Sequence, residues 1–196
     1  TVGYFFGPQV EDGTFPTSYI LTSGAEATRS ADTFTSTATE VLDRANGTKP
    51  AFYTPNGISL FASGKLNNVT GSSHQFNRIV EFDNKNFQLV VSHDNSNKIK
   101  MQHGNPTDIN GGQVSFDNTK LFKAAARHTL NNSKLAVNGS TGVGDTNHAM
   151  LKSTYLSIGK RGTGNVDPLN GTVNRVTIWK APFVDSKLER LTQIIT

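Results

Sequence analysis

The sequence predicts an all-β protein, an antiparallel two-sheet β-sandwich with a short C-terminal helix. Short apolar runs bounded by turn residues recur at roughly 8–12-residue intervals from residue 51 onward, the spacing typical of sandwiches and barrels. Asn-Gly pairs, which suit tight hairpin turns, occur at 46, 56, 110, 138 and 170. Only 17% of the 196 residues are charged, and Gly, Ser, Thr and Asn are abundant, which favours a turn-rich β-protein over a helical bundle.

Charge and cysteine content narrow the classes of function. The net charge of +4 is mildly basic, and no aromatic residues interleave the basic ones, so we expect no nucleic-acid partner. The absence of cysteine excludes disulfides and thiolate metal sites. No apolar run approaches the roughly 20 residues that a membrane-spanning helix needs, so we expect no membrane insertion.

The strands from residue 51 onward follow from their apolar runs and the turns between them. In 98–102, strict alternation places Ile99 and Met101 in a core and both Lys98 and Lys100 in water. The predicted strands are 51–53, 58–62, 77–82, 87–92, 98–102, 114–116, 120–127, 133–137 and 155–158.

A further strand follows the polar, Gly-rich loop at 160–167. The pair at 170–171 suits a tight turn into this strand. Its apolar residues are unevenly spaced, which predicts a bulge or a strand buried on both faces. We assign Trp179, the last apolar residue of this strand, to the core because so large an apolar group is usually buried. These apolar residues are Val173, Val176, Ile178 and Trp179.

A short helix closes the chain. Asp185 or Ser186 can serve as its N-cap, with Glu189 near the first turn. Leu188 and Leu191 are three residues apart, so we expect both to face the sheet.

Several motifs, taken in their order, resemble the laminin-G-like or concanavalin A-like lectin and glucanase sandwich. They are K-A-A-A-R at 123–127, K-L-A-V-N-G at 134–139, L-S-I-G at 156–159, L-N-G-T-V at 169–173, V-T-I-W at 176–179 and D-S-K-L-E-R-L-T at 185–192. The resemblance covers residues 51–192. It implies a concanavalin A-like jelly roll, and in many such domains a calcium ion lies at the rim.

A second group of motifs resembles a linker of bacteriophage tail fibre and tailspike proteins. The motifs are G-P-Q-V-E-D-G-T-F-P-T-S-Y-I at 7–20, T-S-G at 22–24 and T-R-S-A-D at 28–32. The resemblance implies that 1–20 is the terminal strand of a mostly absent upstream domain, 21–50 a connector and 51–196 the lectin-like sandwich. It also implies an extracellular location on the virion. Its implied partners are other virion proteins and other copies of the chain in a homotrimer.

The lectin resemblance implies a host-surface glycan as ligand. Aromatic faces cover the apolar side of sugar rings, while Asn, Asp, His and Arg groups bond the hydroxyls. Residues of these types in predicted loops and at strand ends are the candidate ligand-binding residues. They are Tyr53, His93, Asp94, Asn95, His103, Arg161, Asn165 and Asp167.

Calcium is the metal that the resemblance favours. Oxygen ligands for it are available at Asp83, Asn165 and Asp167. The alternative is ordinary turn chemistry, in which Asp and Asn bond their own backbone. The five histidines show no zinc-binding spacing.

The carboxylates do not predict an enzyme. Glucanases of this fold class carry an E-x-D-x-E-like strand with alternating carboxylates, and the nearest run here is Glu81-Phe82-Asp83. The basic residues on predicted strands are expected to form a solvated face that discourages edge aggregation, with attraction of an acidic polysaccharide as the alternative. These are Lys98, Lys100, Lys120, Lys123 and Arg127.

The function predicted from these observations is a non-enzymatic, glycan-binding or adhesion module of a virion appendage. It would contribute to host attachment or to fibre assembly. Three alternatives stay open: a bacterial extracellular adhesin, a polysaccharide-degrading enzyme module, and a structural fibre element without a ligand.

Overall fold

In a computed structural model of the protein, the chain divides into two compact units, Thr1–Ala31 and Asp32–Thr196. The structure describes residues 34–36, 56–66, 76–82, 87–92, 98–102, 113–115, 121–146, 156–160, 169 and 171–194, all in the second unit.

The described residues form antiparallel strands and one short helix, which confirms the predicted fold class. The strands are β1 Phe34–Ser36, β2 Ile58–Leu66, β3 Phe76–Phe82, β4 Phe87–Ser92, β5 Lys98–Gln102, β6 Gln113–Ser115, β7 Leu121–Thr129, β8 Asn132–Val137, β9 Ser140–Thr141, β10 Leu156–Ile158 and β11 Gly171–Trp179, and the helix is α1 Asp185–Thr192. The first sheet has the order β1-β10-β3-β4-β5-β6, and the second sheet has the order β11-β2-β7-β8-β9.

The two sheets enclose one apolar core. Phe82 and Met101 of the first sheet and Leu60, Phe122 and Leu135 of the second belong to a single cluster and are at most 1% exposed. Full burial of such a side chain stabilises a fold by about 1.5–3 kcal/mol, so this cluster holds the sheets face to face.

The strands β4 and β5 have the bounds that the sequence predicts. The predicted Asn-Gly turn after β8 is also confirmed: Asn138 has φ 48° and Gly139 has φ 83°. Both values suit the type I′ hairpin turn that Asn-Gly favours. The side chain of Asn138 also accepts a hydrogen bond from the backbone N–H of Lys123 at 2.8 Å, which ties the turn to β7.

The strand β1 was not predicted. It lies within the segment 21–50 that the sequence assigns to a connector, and it pairs with β10 at the edge of the first sheet. The segment therefore contributes a strand to the sandwich. The domain boundaries at residues 20 and 50 stay predictions, because 1–33 and 37–55 lie outside the described residues.

The uneven apolar spacing of β11 reflects a bulge, as predicted. Its register with β2 shifts between Val173 and Arg175. Val173, Val176 and Ile178 pack against the inter-sheet core. The residues that alternate with them after the bulge therefore point to the opposite, outer face of the second sheet.

Trp179 packs against a hydrophobic core cluster, as predicted, but that cluster lies on this outer face and not between the two sheets. Trp179 is partly buried against this second cluster, which is formed by Phe61, Ala125, Ala136 and Leu188. Its ring centroid lies 4.9 Å from that of Phe183. The bulge explains the difference, because the extra residue places the last position of the strand on the other face.

The helix α1 covers part of the outer face and packs over β7, β8 and β9. Leu188 is fully buried and Leu191 is partly buried, as predicted. The predicted N-cap is wrong, because Val184 occupies that position and no side chain caps the helix. Asp185 is instead the first helical residue, where its charge complements the helix dipole.

Candidate functional site

Polar side chains are buried on the outer face of the first sheet, away from the inter-sheet core. In β3, Val80 and Phe82 point into the core, so Glu81 points to the other face. A register shift between Arg78 and Val80 brings Arg78 to the same face as Glu81. We call this set the polar face; it comprises Arg78, Glu81, Lys100, Gln102 and Ser157, and the five residues are 2%, 0%, 4%, 1% and 0% exposed, respectively.

Strand register places these residues in two neighbouring rows. Ser157 is the Cα partner of Glu81, and Gln102 lies two strands further along the same row, across β4. Arg78 and Lys100 stand two strands apart in the second row, again with β4 between them. Partners on adjacent strands lie roughly 4.5–5.5 Å apart, and the two rows are two residues apart along a strand, so the groups of both rows are neighbours on one face.

The burial of Lys100 overturns the prediction that both lysines of β5 face water. Ile99 and Met101 are fully buried in the core, as predicted. Lys100 is on the opposite face but is only 4% exposed, whereas Lys98 is half-buried. Alternation fixes which face Lys100 is on but not whether that face is exposed, and here the outer face of β5 is buried at Lys100 as well as its core face.

The predicted solvated basic face is therefore also wrong. Lys98 and Lys100 belong to the first sheet, while Lys123 and Arg127 lie on β7 of the second sheet. Arg127 is 9% exposed and bonds to the helix segment. Lys120 lies outside the described residues.

Side-chain exposure on the polar face increases along β5, from Gln102 to Lys98. Gln102 is 1% exposed, Lys100 is 4% exposed and Lys98 is half-buried. Ser115 is the cross-strand partner of Lys98 and is exposed. The polar face thus opens to solvent at the corner formed by the start of β5 and the end of β6.

Arg78 and Glu81 form an ion pair within the polar face. Nε of Arg78 lies 3.7 Å from Oε2 of Glu81, and both side chains are almost fully buried. Removing charged groups from water costs several kcal/mol per ion, and their mutual attraction often does not repay it. A buried ion pair outside the apolar core is therefore weak evidence for stability and marks a candidate functional site.

The chemistry available on the polar face is recognition by hydrogen bonds. Arg78 and Lys100 supply only donors, Glu81 supplies acceptors, and Gln102 and Ser157 supply both. The hydroxyl of Ser157 donates to the backbone carbonyl of Lys160 at 3.0 Å, which fixes its orientation. Hydroxyl-rich ligands with a polar or anionic substituent need such a mixture.

The predicted ligand-binding residues lie outside the described residues. This holds for all eight of them, and for Asp83, the further residue proposed as a calcium ligand. Within the described ranges, no group of three or more His, Asp or Glu side chains could hold a metal ion. No helix in the described part of the chain is long and apolar enough to cross a membrane. The predictions about these residues and about calcium therefore stay predictions.

The polar face was not predicted. Glu81, Lys100, Gln102 and Ser157 follow the expected alternation, such as Ser157 between Leu156 and Ile158, whereas Arg78 reaches this face through the register shift in β3. Alternation shows which residues share a face, but it does not show whether water or protein covers that face. The signal that was available is the number of charged and amide groups at such positions on neighbouring strands.

Comparison with known proteins gives matches to solved structures only. No family model matches the sequence, and no curated protein matches it. The chain is similar to the structure of the Ruminococcus gnavus IT-sialidase CBM40, with a TM-score of 0.54, 15% identity, and coverage of 71% of this chain and 84% of that one. The same module bound to α2,3 sialyllactose matches with a TM-score of 0.52 and 15% identity, covering 71% and 83%.

A larger protein contains the same fold. A Trypanosoma rangeli sialidase in complex with 2,3-difluorosialic acid matches with a TM-score of 0.55 and 14% identity, over 70% of this chain. The match spans only 23% of that sialidase chain. At these identities the comparisons show a shared fold: the chain is a lectin-like β-sandwich of the kind found in carbohydrate-binding modules.

Proposed function

We propose that the chain is a carbohydrate-binding module and that the polar face is its glycan-binding surface. The observation that carries the proposal is the burial of Arg78, Glu81, Lys100, Gln102 and Ser157 on the sheet face opposite the core. Burying such groups costs free energy unless they are paired, and ionisable groups in such environments cluster at functional sites.

Each group has a role that follows from its chemistry. Glu81 lies 3.7 Å from Arg78 and helps to fix the orientation of its planar guanidinium. Lys100 supplies a point charge two strands away. Gln102 and Ser157 bond sugar hydroxyls as donor or acceptor. Lys98, at the exposed corner, attracts an anionic group on the ligand before it reaches the buried positions.

The comparisons support a glycan as the ligand class. The Ruminococcus gnavus module with the same fold has been solved with α2,3 and with α2,6 sialyllactose bound. We therefore propose sialylated and other acidic oligosaccharides as the first glycans to test. The two cationic groups of the polar face, Arg78 and Lys100, suit the carboxylate that such sugars carry.

We further propose that this module belongs to a virion appendage, a tail fibre or tailspike, and acts outside the cell in host attachment or fibre assembly. The linker-like motifs at 7–32 support this assignment. The corresponding partners are other virion proteins and two further copies of the chain in a homotrimer. Size-exclusion chromatography with light scattering tests the trimer, and a clean monomer at physiological concentration contradicts it.

We propose that the module is not an enzyme. Glycosidases use two carboxyl groups on either side of the scissile bond. Among the described residues of the polar face, Glu81 is the single carboxylate, and it is paired with Arg78. Incubation of the protein with the glycan it binds should release no reducing or unsaturated ends. Release of either would favour the polysaccharide-degrading alternative, and a bacterial genomic origin would favour the adhesin.

A glycan array followed by calorimetry tests the binding proposal. We expect wild-type protein to bind an oligosaccharide and Lys100→Met to weaken that binding by about 10- to 100-fold, because a hydrogen bond to a charged group contributes roughly 1.5–3 kcal/mol. The matched control is Lys180→Met, at an exposed lysine just after β11, which should bind like wild type. Binding that Lys100→Met leaves unchanged would overturn the assignment of the site.

A further inference from the structure

A second cationic surface lies on the outer face of the second sheet, away from the polar face. Arg175 of β11 and Lys123 of β7 are the two Cα partners of Ser63 on β2. Lys65 is two residues further along β2 and so points to the same face. We call Lys65, Lys123 and Arg175, grouped around Ser63, the basic strip.

The register fixes the orientation of these side chains. Leu60 and Ala62 of β2 point into the inter-sheet core, and Phe61 between them points to the outer face. Because side chains alternate along a strand, Ser63 points to the same outer face as Phe61. The α-carbons of Arg175 and Lys123 are separated by two inter-strand spacings, about 10 Å. Arg175 is exposed, while Lys65, Lys123 and Ser63 are half-buried. The strip is thus a shallow surface with a small hydroxyl residue at its centre.

Neighbouring groups hold the cations in place. Nε of Arg175 donates to the hydroxyl of Thr177 at 3.0 Å, and its guanidinium lies 6.0 Å from the Phe61 ring centroid. Nζ of Lys123 donates to the backbone carbonyl of Gln193 at 2.9 Å, at the end of α1. Side chains that are already ordered lose less conformational entropy when they bind.

The acidic residues described on this side of the sandwich are Asp145, which pairs with Ser133 of β8, and two acids that bond to other residues. Asp185 is bonded to Arg127 at 2.7 Å and lies 3.8 Å from Lys134. Glu189 accepts a hydrogen bond from Thr141 at 3.3 Å. Both acids belong to α1, which covers β7 to β9. Arg175 and Lys65 lie on β11 and β2, beyond the strands that α1 covers, and Lys123 of β7 lies beside the end of α1.

We propose that the basic strip binds an anionic polysaccharide through its carboxylate or sulfate groups, at a site separate from the polar face. Lys and Arg side chains pair with these groups, and the hydroxyls of Ser63 and Thr177 suit the sugar ring. A single-stranded nucleic acid would need exposed aromatic faces for base stacking. The aromatic residues described on this side pack against neighbours: Phe61 lies beneath Arg175, Lys187 Nζ lies 3.4 Å from the Phe183 ring centroid, and Trp179 is partly buried against Phe61 and Phe183.

The test measures the binding of three probes to the intact protein by biolayer interferometry: dextran sulfate, polygalacturonate and neutral dextran. We expect the two anionic polymers to bind and neutral dextran not to bind. We expect affinity to fall roughly tenfold or more between 50 and 200 mM NaCl, because three cations exchange bound counterions. Arg175→Glu and Lys65→Glu should each reduce affinity for an anionic polymer at least tenfold.

The matched control is Lys160→Glu, which makes the same charge change after β10 of the first sheet. It should retain wild-type affinity for the anionic polymers, and each variant should keep the wild-type melting temperature, since Arg175 is exposed and Lys65 and Lys160 are half-buried. The proposal is overturned if Arg175→Glu binds like wild type, or if Lys160→Glu loses as much affinity as the strip variants. Single-stranded DNA that binds as tightly as dextran sulfate and also loses affinity in Arg175→Glu would overturn the polysaccharide assignment.

Discussion

Arg78 and Glu81 lie three residues apart on one strand, yet their side chains meet at 3.7 Å on the same face of the first sheet. In a regular strand, residues three apart point to opposite faces. The register shift between Arg78 and Val80 inserts the extra residue that brings them together. This bulge builds the charged centre of the polar face.

Glu81→Gln should destabilise the fold strongly. The substitution leaves the charge of Arg78 buried beside a neutral group, and breaking a buried ion pair costs about 3–5 kcal/mol. Urea unfolding followed by circular dichroism measures the loss. The double variant Arg78→Met with Glu81→Leu should lose less than Glu81→Gln, because it removes both buried charges. Equal stability of Glu81→Gln and wild type would show that the pair is not coupled.

Arg127 should hold the helix against the second sheet. Its guanidinium donates to the backbone carbonyl of Phe183 at 2.9 Å, to Asp185 at 2.7 Å and to Asn132 at 2.6 Å. Arg127→Met should cost about 2–3 kcal/mol in unfolding free energy. Asp185→Asn should cost at most about 1 kcal/mol, because the Asp185 carboxylate is half-exposed and solvent screens it.

The single tryptophan reports on this same helix contact. Trp179 packs on Phe183, just before α1, so its fluorescence emission should shift to longer wavelength if the helix detaches. We expect the shift in Arg127→Met at temperatures below global unfolding, and not in Asp185→Asn. If Trp179 emission in Arg127→Met changes only together with global unfolding, Arg127 has no separate role in holding the helix against the sheet.

Substitution by alanine should lower the stability of the fold by different amounts at Gly64 and at Gly139. A Cβ on Gly64 would clash with the backbone carbonyl oxygen of Thr172, so Gly64→Ala must push β11 away from β2 and should cost about 3 kcal/mol or more. A Cβ on Gly139 would meet nothing closer than 3.5 Å, but its φ is 83°. Gly139→Ala should therefore cost only the left-handed backbone penalty of about 1–2 kcal/mol.

The melting temperatures of wild type and of both variants test this difference. The expected ranking is wild type, then Gly139→Ala, then Gly64→Ala, since overpacking at a strand pair adds to the loss. A Gly64→Ala protein at least as stable as Gly139→Ala would show that β11 moves freely on β2.

The sandwich could be predicted because its strands alternate or carry apolar runs between turn residues. Ile99 and Met101 alternate in β5, and Asn138-Gly139 ends β8, so these elements follow from local chemistry. The strand β1 could not be found, because its three residues lie in a Ser- and Thr-rich stretch and depend on pairing with β10.

The polar face could not be predicted for a different reason. The burial of Lys100 depends on what covers the outer face of the first sheet, and Arg78 joins Glu81 only through a bulge. Both features arise from tertiary pairing, whereas the sequence pattern describes single strands. The loop residues proposed from sequence, such as His93 and Arg161, lie outside the described residues and remain predictions.

The measurement that tests the central proposal most directly is an NMR titration of labelled protein with the oligosaccharide selected on the array. We expect amide shifts to change first on the strands that carry the polar face, at Arg78, Glu81, Lys100, Gln102 and Ser157, and the same changes in Lys100→Met to need an oligosaccharide concentration about 10- to 100-fold higher. Saturating shifts confined to β11 and α1, with the amides of β3, β5 and β10 unmoved, would contradict the proposal.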